Sequence, residues 1–196
     1  MENKFSERQI EIMDAAIKRI DCCGIQELTI KNLAADINLS EAALYRHFKS
    51  KNDILLGLLT YFTMELKDRV SATIADKEKS ASEILRIIFI TQLNTFVKNP
   101  AIVSVIFSEG IFQFNKELSD KVSLMMKLMQ TNIGEVVKRG QDEGVYNSLL
   151  GVTATTTIIM GSMRMVVLKW KLSGHKSDLI KDGTSVLNGL INLLEK

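Results

Sequence analysis

Side chains that can bind nucleic acid are concentrated between residues 29 and 51 of the sequence. Three of them are consecutive, from Tyr45 through an arginine to His47, and Lys49 and Lys51 follow closely. Phenol, guanidinium and ammonium groups donate hydrogen bonds to phosphate oxygens, and an arginine can also read the edge of guanine. This stretch therefore predicts a surface that binds double-stranded DNA.

A first helix is needed to position this surface. Apolar residues recur at intervals of three and four at Ile30, Leu33, Ala34 and Ile37, so they form one face of a helix. Thr29 precedes the run, and its hydroxyl can cap the helix by accepting a backbone N–H. The pattern predicts a short helix that packs on a core through this face.

A tight turn and a second helix follow. Asn38 stands where the turn needs a positive φ angle, which asparagine tolerates better than most residues. Ser40 can cap the second helix, and Leu44 and Phe48 anchor it inward. The positions left to face outward are Ser40, Ala42, Ala43, Tyr45, Arg46 and His47. This layout is typical of a helix-turn-helix motif, whose second helix enters the major groove.

The run LSEAALYRHFKSKNDIL, residues 39–55, resembles the DNA-binding signature of the TetR family of bacterial transcriptional regulators. In that family a short recognition helix ends in a Leu-Tyr-x-His/Tyr-Phe pattern, and a lysine opens the next helix. Leu44, Tyr45, Phe48 and Lys51 match these positions, and the asparagine of the turn replaces the usual glycine. The signature covers about the first quarter of the chain, and the length and helical pattern of the rest agree with the family.

The candidate DNA-binding residues have different expected roles. The resemblance implies a phosphate contact for Tyr45, and Lys51 is expected to bind a phosphate together with the N–H groups of its helix. Arg46 is expected to contact either a base or a phosphate, and His47 either the DNA backbone or the protein interior. The complete predicted set is Thr29, Ser40, Ala42, Ala43, Tyr45, Arg46, His47 and Lys51. The alternative for Tyr45 is that it packs in the core. The alternative for Lys51 is that it is an ordinary surface lysine without a DNA contact.

Composition and periodicity predict an all-α protein of two domains. Hydrophobic residues make up 46% of the 196 positions, and the formal net charge is only +2, which is a poor fit to a non-specific basic clamp on nucleic acid. There is one proline and no flexible linker, so the domains would share a long helix that begins near Lys51. We predict a three-helix DNA-binding domain over residues 1–52 and a helical ligand-binding and dimerisation domain over residues 53–196. The helices expected besides the motif and the long helix are 6–22, 82–98, 100–108, 117–141, 148–172 and 177–194.

The C-terminal domain is expected to contain an effector pocket and a dimer interface. The resemblance implies that it binds a small molecule and that its last two helices pair with their copies in a second subunit. Residues that could line an apolar pocket are Phe62, Phe96, Phe107, Phe112, Met125 and Met129, although they could equally be ordinary core. Candidate dimer-interface residues are Gly161, Met165, Val186 and Leu190.

Other classes of protein fit the sequence less well. The two histidines form no nucleophile–base pair and no phosphate loop or metal cluster is evident, so neither an enzyme nor a cofactor is expected. Residues 149–170 contain too many polar groups to cross a membrane, and residues 1–14 have no signal-peptide core, so we expect a cytoplasmic protein. The adjacent Cys22 and Cys23 are expected to remain unbridged.

We therefore expect a homodimeric, sequence-specific DNA-binding transcriptional regulator that reads a palindromic operator. It would most simply be a repressor released by a small hydrophobic effector. The alternative is a DNA-bound scaffold that recruits a protein partner, for chromosome organisation or division, without a small-molecule effector.

Overall fold

The computed structural model describes residues 5–107 and 115–195, and all regular secondary structure in these two ranges is helical. The α-helices are α1 (Glu7–Cys23), α2 (Ile30–Asp36), α3 (Glu41–Tyr45), α4 (Lys51–Ala75), α5 (Ala81–Lys98), α6 (Pro100–Ile106), α7 (Lys116–Asp142), α8 (Val152–Leu172) and α9 (Leu179–Leu194). A single 3-10 turn, Ile25–Glu27, links α1 to α2. The all-α class is confirmed, as is an N-terminal helix-turn-helix followed by the long α4 and a helical C-terminal part.

Helix α1 begins with a complete capping box. The Ser6 hydroxyl accepts a hydrogen bond from the backbone N–H of Gln9, and the side chain of Gln9 accepts one from the backbone N–H of Ser6. The buried face comprises Ile12, Met13, Ala16 and Ile20, whereas Ile10 and Ile17 are half-buried. Through this face α1 packs against α2, the 3-10 turn and α6.

The expectation for the two cysteines is wrong. Cys22 and Cys23 are joined as a disulfide at the solvent-exposed end of α1. Gly24 follows with a positive φ of 82° and ends the helix. Both cysteines are exposed on the last turn of α1, so the bridge lies outside the core.

The chain forms two compact units, and two of the three limits between them fall inside helices, in α4 and α7, while the third lies between α5 and α6. The first contains Met1–Met64 and Asn99–Ser123, and the second contains Glu65–Lys98 and Leu124–Lys196. In the second unit α9 packs on α5 and α8. A Cβ atom at Gly183 of α9 would overlap Cδ1 of Leu93, so this glycine allows the close approach of α9 to α5.

Helix α8 begins four residues later than the sequence suggests. Residues 147–151 form a loop instead, in which Gln141 Nε2 donates hydrogen bonds to the carbonyls of Asn147 and Leu150, at 3.1 and 2.7 Å. The backbone N–H of Asn147 also bonds to the carbonyl of Leu194, 2.8 Å away at the end of α9. Because backbone groups of Asn147 and Leu150 are hydrogen-bonded to Gln141 and Leu194, these residues are held in a loop, and the helix does not extend back to residue 148.

Two further properties of the described ranges concern membrane-spanning helices and clusters of metal ligands. None of their helices has both the length and the apolar character that crossing a membrane would require. Nor do these ranges bring three or more histidine, cysteine or acidic side chains together as metal ligands.

Candidate nucleic-acid interface

Helix α2 is fixed at its start by side-chain hydrogen bonds. The Thr29 hydroxyl accepts the backbone N–H of Asn32 at 3.1 Å, as the sequence predicts for a cap. Asn32 in turn donates to the carbonyl of Glu27 at 3.1 Å, which holds the 3-10 turn against the start of α2. Leu33 and Ala34 are buried, so α2 rests on the core through the predicted face.

The turn between α2 and α3 has the predicted backbone geometry. Asn38 has a φ of 53°, in the left-handed region that asparagine tolerates. The backbone N–H of Leu39 then bonds to the carbonyl of Ala34 at 2.9 Å, which closes the turn. Helices α2 and α3 are therefore joined by a short turn and pack against each other.

Helix α3 has only five residues, so it depends on its anchors. The hydroxyl of Ser40 caps it by accepting the backbone N–H of Ala43 at 3.1 Å. Leu44 is fully buried, and Phe48 is buried just beyond the helix end. The inward anchoring predicted for these two residues is confirmed, and the opposite side of α3 faces solvent.

The solvent-facing side of α3 carries most of the predicted DNA-binding residues. Ser40, Ala42, Tyr45 and Arg46 are exposed, and Tyr45 keeps 49% of its surface accessible. An exposed phenol at the end of a helix and a neighbouring guanidinium can reach phosphate oxygens or base edges. The half-buried members of the set are Ala43, His47 and Lys51, and Thr29 is exposed beside them at the start of α2.

Lys51 lies at the first position of α4, next to the end of the recognition helix. The Ser50 hydroxyl caps α4 by accepting the backbone N–H of Asp53, and the Asp53 carboxylate accepts the backbone N–H of Lys49. Lys51 Nζ donates to the carbonyl of Ile25 at 2.7 Å. An ammonium has three N–H donors, so one bond to Ile25 leaves two that can meet a phosphate.

Partial burial affects the pKa of this lysine. Desolvation lowers the pKa of the Lys51 ammonium, and the nearby carboxylate of Glu27 opposes that effect. A phosphate at this position would favour the protonated ammonium, as Glu27 does. The site is thus suited to receive an anion at the start of α4.

Two contacts that the sequence does not predict hold the motif on α1. Arg19 pairs with the carboxylate of Asp36 through two hydrogen bonds, one of them 2.7 Å long from Nε, and this pair joins α1 to α2. The bond from Arg19 holds the pKa of Asp36 below its ordinary value. Gln9 Nε2 donates to the carbonyl of His47 at 3.3 Å, which joins the start of α1 to the chain after α3. The partners are 17 and 38 residues apart, so local spacing gives no sign of them.

The predicted pocket residues fall in both compact units. Phe96, Met125 and Met129 are buried in the second unit, whereas Phe62 is buried and Phe107 half-buried in the first. Phe112 lies outside the described residues. Burial alone is compatible with an effector-lining role and with an ordinary core.

The predicted dimer residues are accessible on α8 and α9. Gly161 and Met165 are exposed on α8, and Val186 is exposed and Leu190 half-buried on α9. A Cβ at Gly161 would meet no atom of the described residues within 4 Å. Close helix packing within the chain therefore does not explain this glycine, unlike Gly183.

The family resemblance seen in the sequence is supported by comparison with known proteins. A model of the family described as bacterial regulatory proteins, tetR family, matches residues 12–58. A second model, described as YsiA-like protein, C-terminal region, matches residues 62–193. Among curated relatives, the nucleoid occlusion factor SlmA of Vibrio vulnificus (strain YJ016) is 28% identical over 137 residues, which are 69% of either chain.

Solved structures share the fold at low sequence identity. The transcriptional regulator FadR from Bacillus subtilis, in complex with stearoyl-CoA, has a TM-score of 0.81 and 22% identity over 95% of this chain and 99% of its own. The fatty acid degradation regulator FadR from Bacillus halodurans has a TM-score of 0.85 and 21% identity, over 96% and 97% of the two chains. With both family models matched along nearly its whole length, the chain belongs to the TetR family of DNA-binding bacterial transcriptional regulators.

Proposed function

We propose that this regulator is a homodimeric repressor that occludes promoters and is released by a small hydrophobic effector. The observation that carries the proposal is the solvent-facing side of α3, held outward by the buried Leu44 and Phe48. The protein would act in the cytoplasm, by binding rather than by catalysis. In this proposal Tyr45 and Lys51 contact phosphates, and Ser40, Ala42 and Ala43 face the bases.

A dimer is needed because one helix of five residues meets too few base pairs to select a site. Two copies on a twofold axis would read half-sites about 34–36 Å apart, in successive major grooves of a palindromic operator. Helices α8 and α9 support this with exposed apolar residues at spacings of three and four. On α8 these are Ile158, Gly161, Met165, Leu168 and Leu172, and on α9 Val186 and Leu193 flank the half-buried Leu190. Such stripes suit a self-complementary interface.

The effector part of the proposal rests on the apolar interior of the second unit. Phe96, Met125 and Met129 are buried there, and methionines adapt readily to a bound apolar molecule. The fold neighbour from Bacillus subtilis was solved with stearoyl-CoA, which has a long apolar chain. Effector binding inside the C-terminal domain would alter the distance between the two DNA-binding domains of the dimer. The protein would then dissociate from its operator.

The test is selection of fragmented host genomic DNA on the purified protein, with Tyr45→Ala run in parallel. We expect a few enriched palindromic sites in promoters, which the variant does not recover. Tyr61→Ala, on α4 and outside the predicted interface, serves as the matched tyrosine control and should recover the same sites. Equal enrichment by wild type and Tyr45→Ala would refute the proposed interface.

The dimer is tested by sedimentation of Met165→Arg. This change places a charge in the exposed stripe of α8 and should convert dimers to monomers. Leu149→Arg is the control, since Leu149 is 91% exposed on the loop before α8. If the Met165→Arg protein is still a dimer, the exposed stripe of α8 is not the dimer interface.

A DNA-bound scaffold is the second candidate, and the name of the SlmA relatives favours it. A scaffold predicts many sites dispersed through the genome and a DNA affinity that small metabolites leave unchanged. The repressor predicts few sites and an affinity that falls with a particular compound. The same genomic selection, repeated with a metabolite extract, separates the two.

A further inference from the structure

Two buried amide side chains in the second unit lack a complete set of hydrogen bonds. Within residues 5–107 and 115–195, the buried polar side chains are Gln92, Asn132, Thr155 and Thr156. Oε1 of Gln92 and Nδ2 of Asn132 have no hydrogen-bond partner in this part of the chain, whereas Thr156 donates to the carbonyl of Val152 at 2.8 Å. A buried polar group without a partner destabilises the folded protein, so two such groups call for a functional explanation.

Gln92 lies among apolar residues on one face of α5. Leu85, Phe89, Gln92 and Phe96 are spaced by four, three and four residues, so their side chains form a single stripe. Gln92 is 8% exposed, and the other three are more deeply buried. The amide is therefore one helical turn from Phe96, a predicted effector contact.

Asn132 occupies the same place in a matching stripe on α7. Met125, Met129, Asn132 and Val136 repeat the spacing of four, three and four residues. Asn132 is 9% exposed, and its neighbours along the stripe are buried. Each unpartnered amide thus interrupts an apolar stripe that contains residues predicted to line the effector pocket.

The two unpartnered atoms have complementary chemistry. Oε1 of Gln92 accepts a hydrogen bond, and Nδ2 of Asn132 donates one. A hydroxyl or an amide group supplies both a donor and an acceptor. A carboxylate or phosphate fits poorly, because the described residues include no buried cationic side chain to balance its charge.

We propose that Gln92 and Asn132 are the polar recognition groups of the effector site, and that the effector is an apolar molecule bearing an uncharged hydroxyl or amide. This inference rests on the proposed effector function. The apolar stripes supply affinity, and the two amides select for the neutral polar group. An apolar molecule without such a group leaves both amides unpartnered and binds more weakly.

The test compares three probes of equal chain length: 1-decanol, decyl methyl ether and decanoate at neutral pH. Calorimetry on the full-length protein should show that 1-decanol binds most tightly. The ether, which lacks the O–H donor, and the charged decanoate should each bind at least about fivefold more weakly, which corresponds to one lost hydrogen bond. Preference for decanoate, or no detectable binding of 1-decanol, overturns the inference.

Two variants separate recognition from a structural role. Gln92→Met and Asn132→Leu replace each amide by an apolar side chain of similar size, so both should raise the thermal unfolding midpoint of the free protein. Each should also weaken 1-decanol binding at least about fivefold and remove its preference over the ether. Lower midpoints with unchanged 1-decanol affinity would mean that the amides only support the fold, and would overturn the proposal.

Matched controls come from the exposed amides of the same helices. Asn94→Leu on α5 and Gln130→Met on α7 change an exposed side chain in the same way and should leave the binding of all probes unaltered.

The effect of 1-decanol on DNA affinity then distinguishes this inference from the proposed function. If the protein binds 1-decanol through both amides but its DNA affinity does not change, the proposed release of DNA by an effector is refuted. The proposed role of Gln92 and Asn132 in ligand recognition is then still supported. If decanoate rather than 1-decanol releases the DNA, regulation by an effector is supported, and recognition of a neutral polar group by Gln92 and Asn132 is refuted.

Discussion

Replacing Lys51 with alanine should weaken operator binding and lower its dependence on salt. Lys51 Nζ lies 2.7 Å from the carbonyl of Ile25, which fixes the ammonium at the start of α4 with two N–H donors remaining. Each phosphate contact on duplex DNA contributes about 0.9 to the slope of log affinity against log salt concentration. A dimer loses two contacts, so the slope should fall by about 1.8.

This slope has a measurable consequence for affinity. Between about 50 and 200 mM salt, a slope difference of about 1.8 changes the ratio of wild-type to variant affinity roughly tenfold. The wild type should thus lose its advantage as the salt concentration rises. Fluorescence anisotropy on a duplex carrying the selected site, titrated at several salt concentrations, measures both the affinity and the slope.

Lys51→Ala also removes the hydrogen bond to Ile25, so loss of structure must be separated from loss of a phosphate contact. The thermal unfolding midpoint of the variant addresses the first. Lys67→Ala controls for charge, because Lys67 is exposed on α4 about 24 Å further along the helix. Unchanged affinity at matched salt, or a slope equal to that of the wild type, would show that Lys51 does not bind a phosphate.

Three further changes test the fold around the two units. Leu44→Ala should destabilise the protein by about 2–5 kcal/mol in urea unfolding, because the side chain is fully buried beneath the recognition helix. Gly140→Ala should cost about 1–3 kcal/mol, since a Cβ there would come within 2.6 and 2.8 Å of Cε2 and Cγ of the Tyr146 ring. Asp36→Asn should flatten the rise of stability with pH in the acid range. The bond from Arg19 lowers the folded pKa of Asp36, so its stabilisation is present above the ordinary value of 3.8 and lost as pH falls through the folded value.

Each change has a matched control. Leu149→Ala removes an exposed leucine and should change stability by less than about 0.5 kcal/mol. Gly134→Ala, on the same helix as Gly140, places a Cβ at an ordinary 3.6 Å from Thr156 Oγ1 and should be neutral or stabilising by up to about 1 kcal/mol. Asp68→Asn, at an exposed position of α4, should leave the acid dependence of stability intact. Equal effects in a variant and its control would contradict the structural reason given for that variant.

The helix-turn-helix could be predicted from sequence because its determinants are local. Thr29 and Ser40 cap helices that begin at the next residue, and the positive φ of Asn38 lies where the turn requires it. Leu44 and Phe48 are buried at the helical spacing that the sequence displays. Each of these features depends on neighbours within a few positions.

Contacts between distant residues could not be predicted in the same way. The pairing of Arg19 with Asp36 depends on how α1 meets α2, and many other charged pairs were equally plausible from the sequence. The buried amides also looked ordinary, since glutamine and asparagine usually occupy the solvent side of a helix. Gly140 gave no sign that the Tyr146 ring packs on it, because that contact arises from the loop that follows α7.

In the proposed interface, helix α3 uses different residues for folding and for DNA recognition. Leu44 attaches α3 to the core, whereas Ala42 and Arg46 are exposed and contribute little to folding. Substitutions at these exposed positions can therefore accumulate during evolution at almost no cost in stability. After a gene duplication, one copy could acquire a new operator through one or two such changes while its sister retained the original site, and the two regulatory circuits would become independent without any change in the fold.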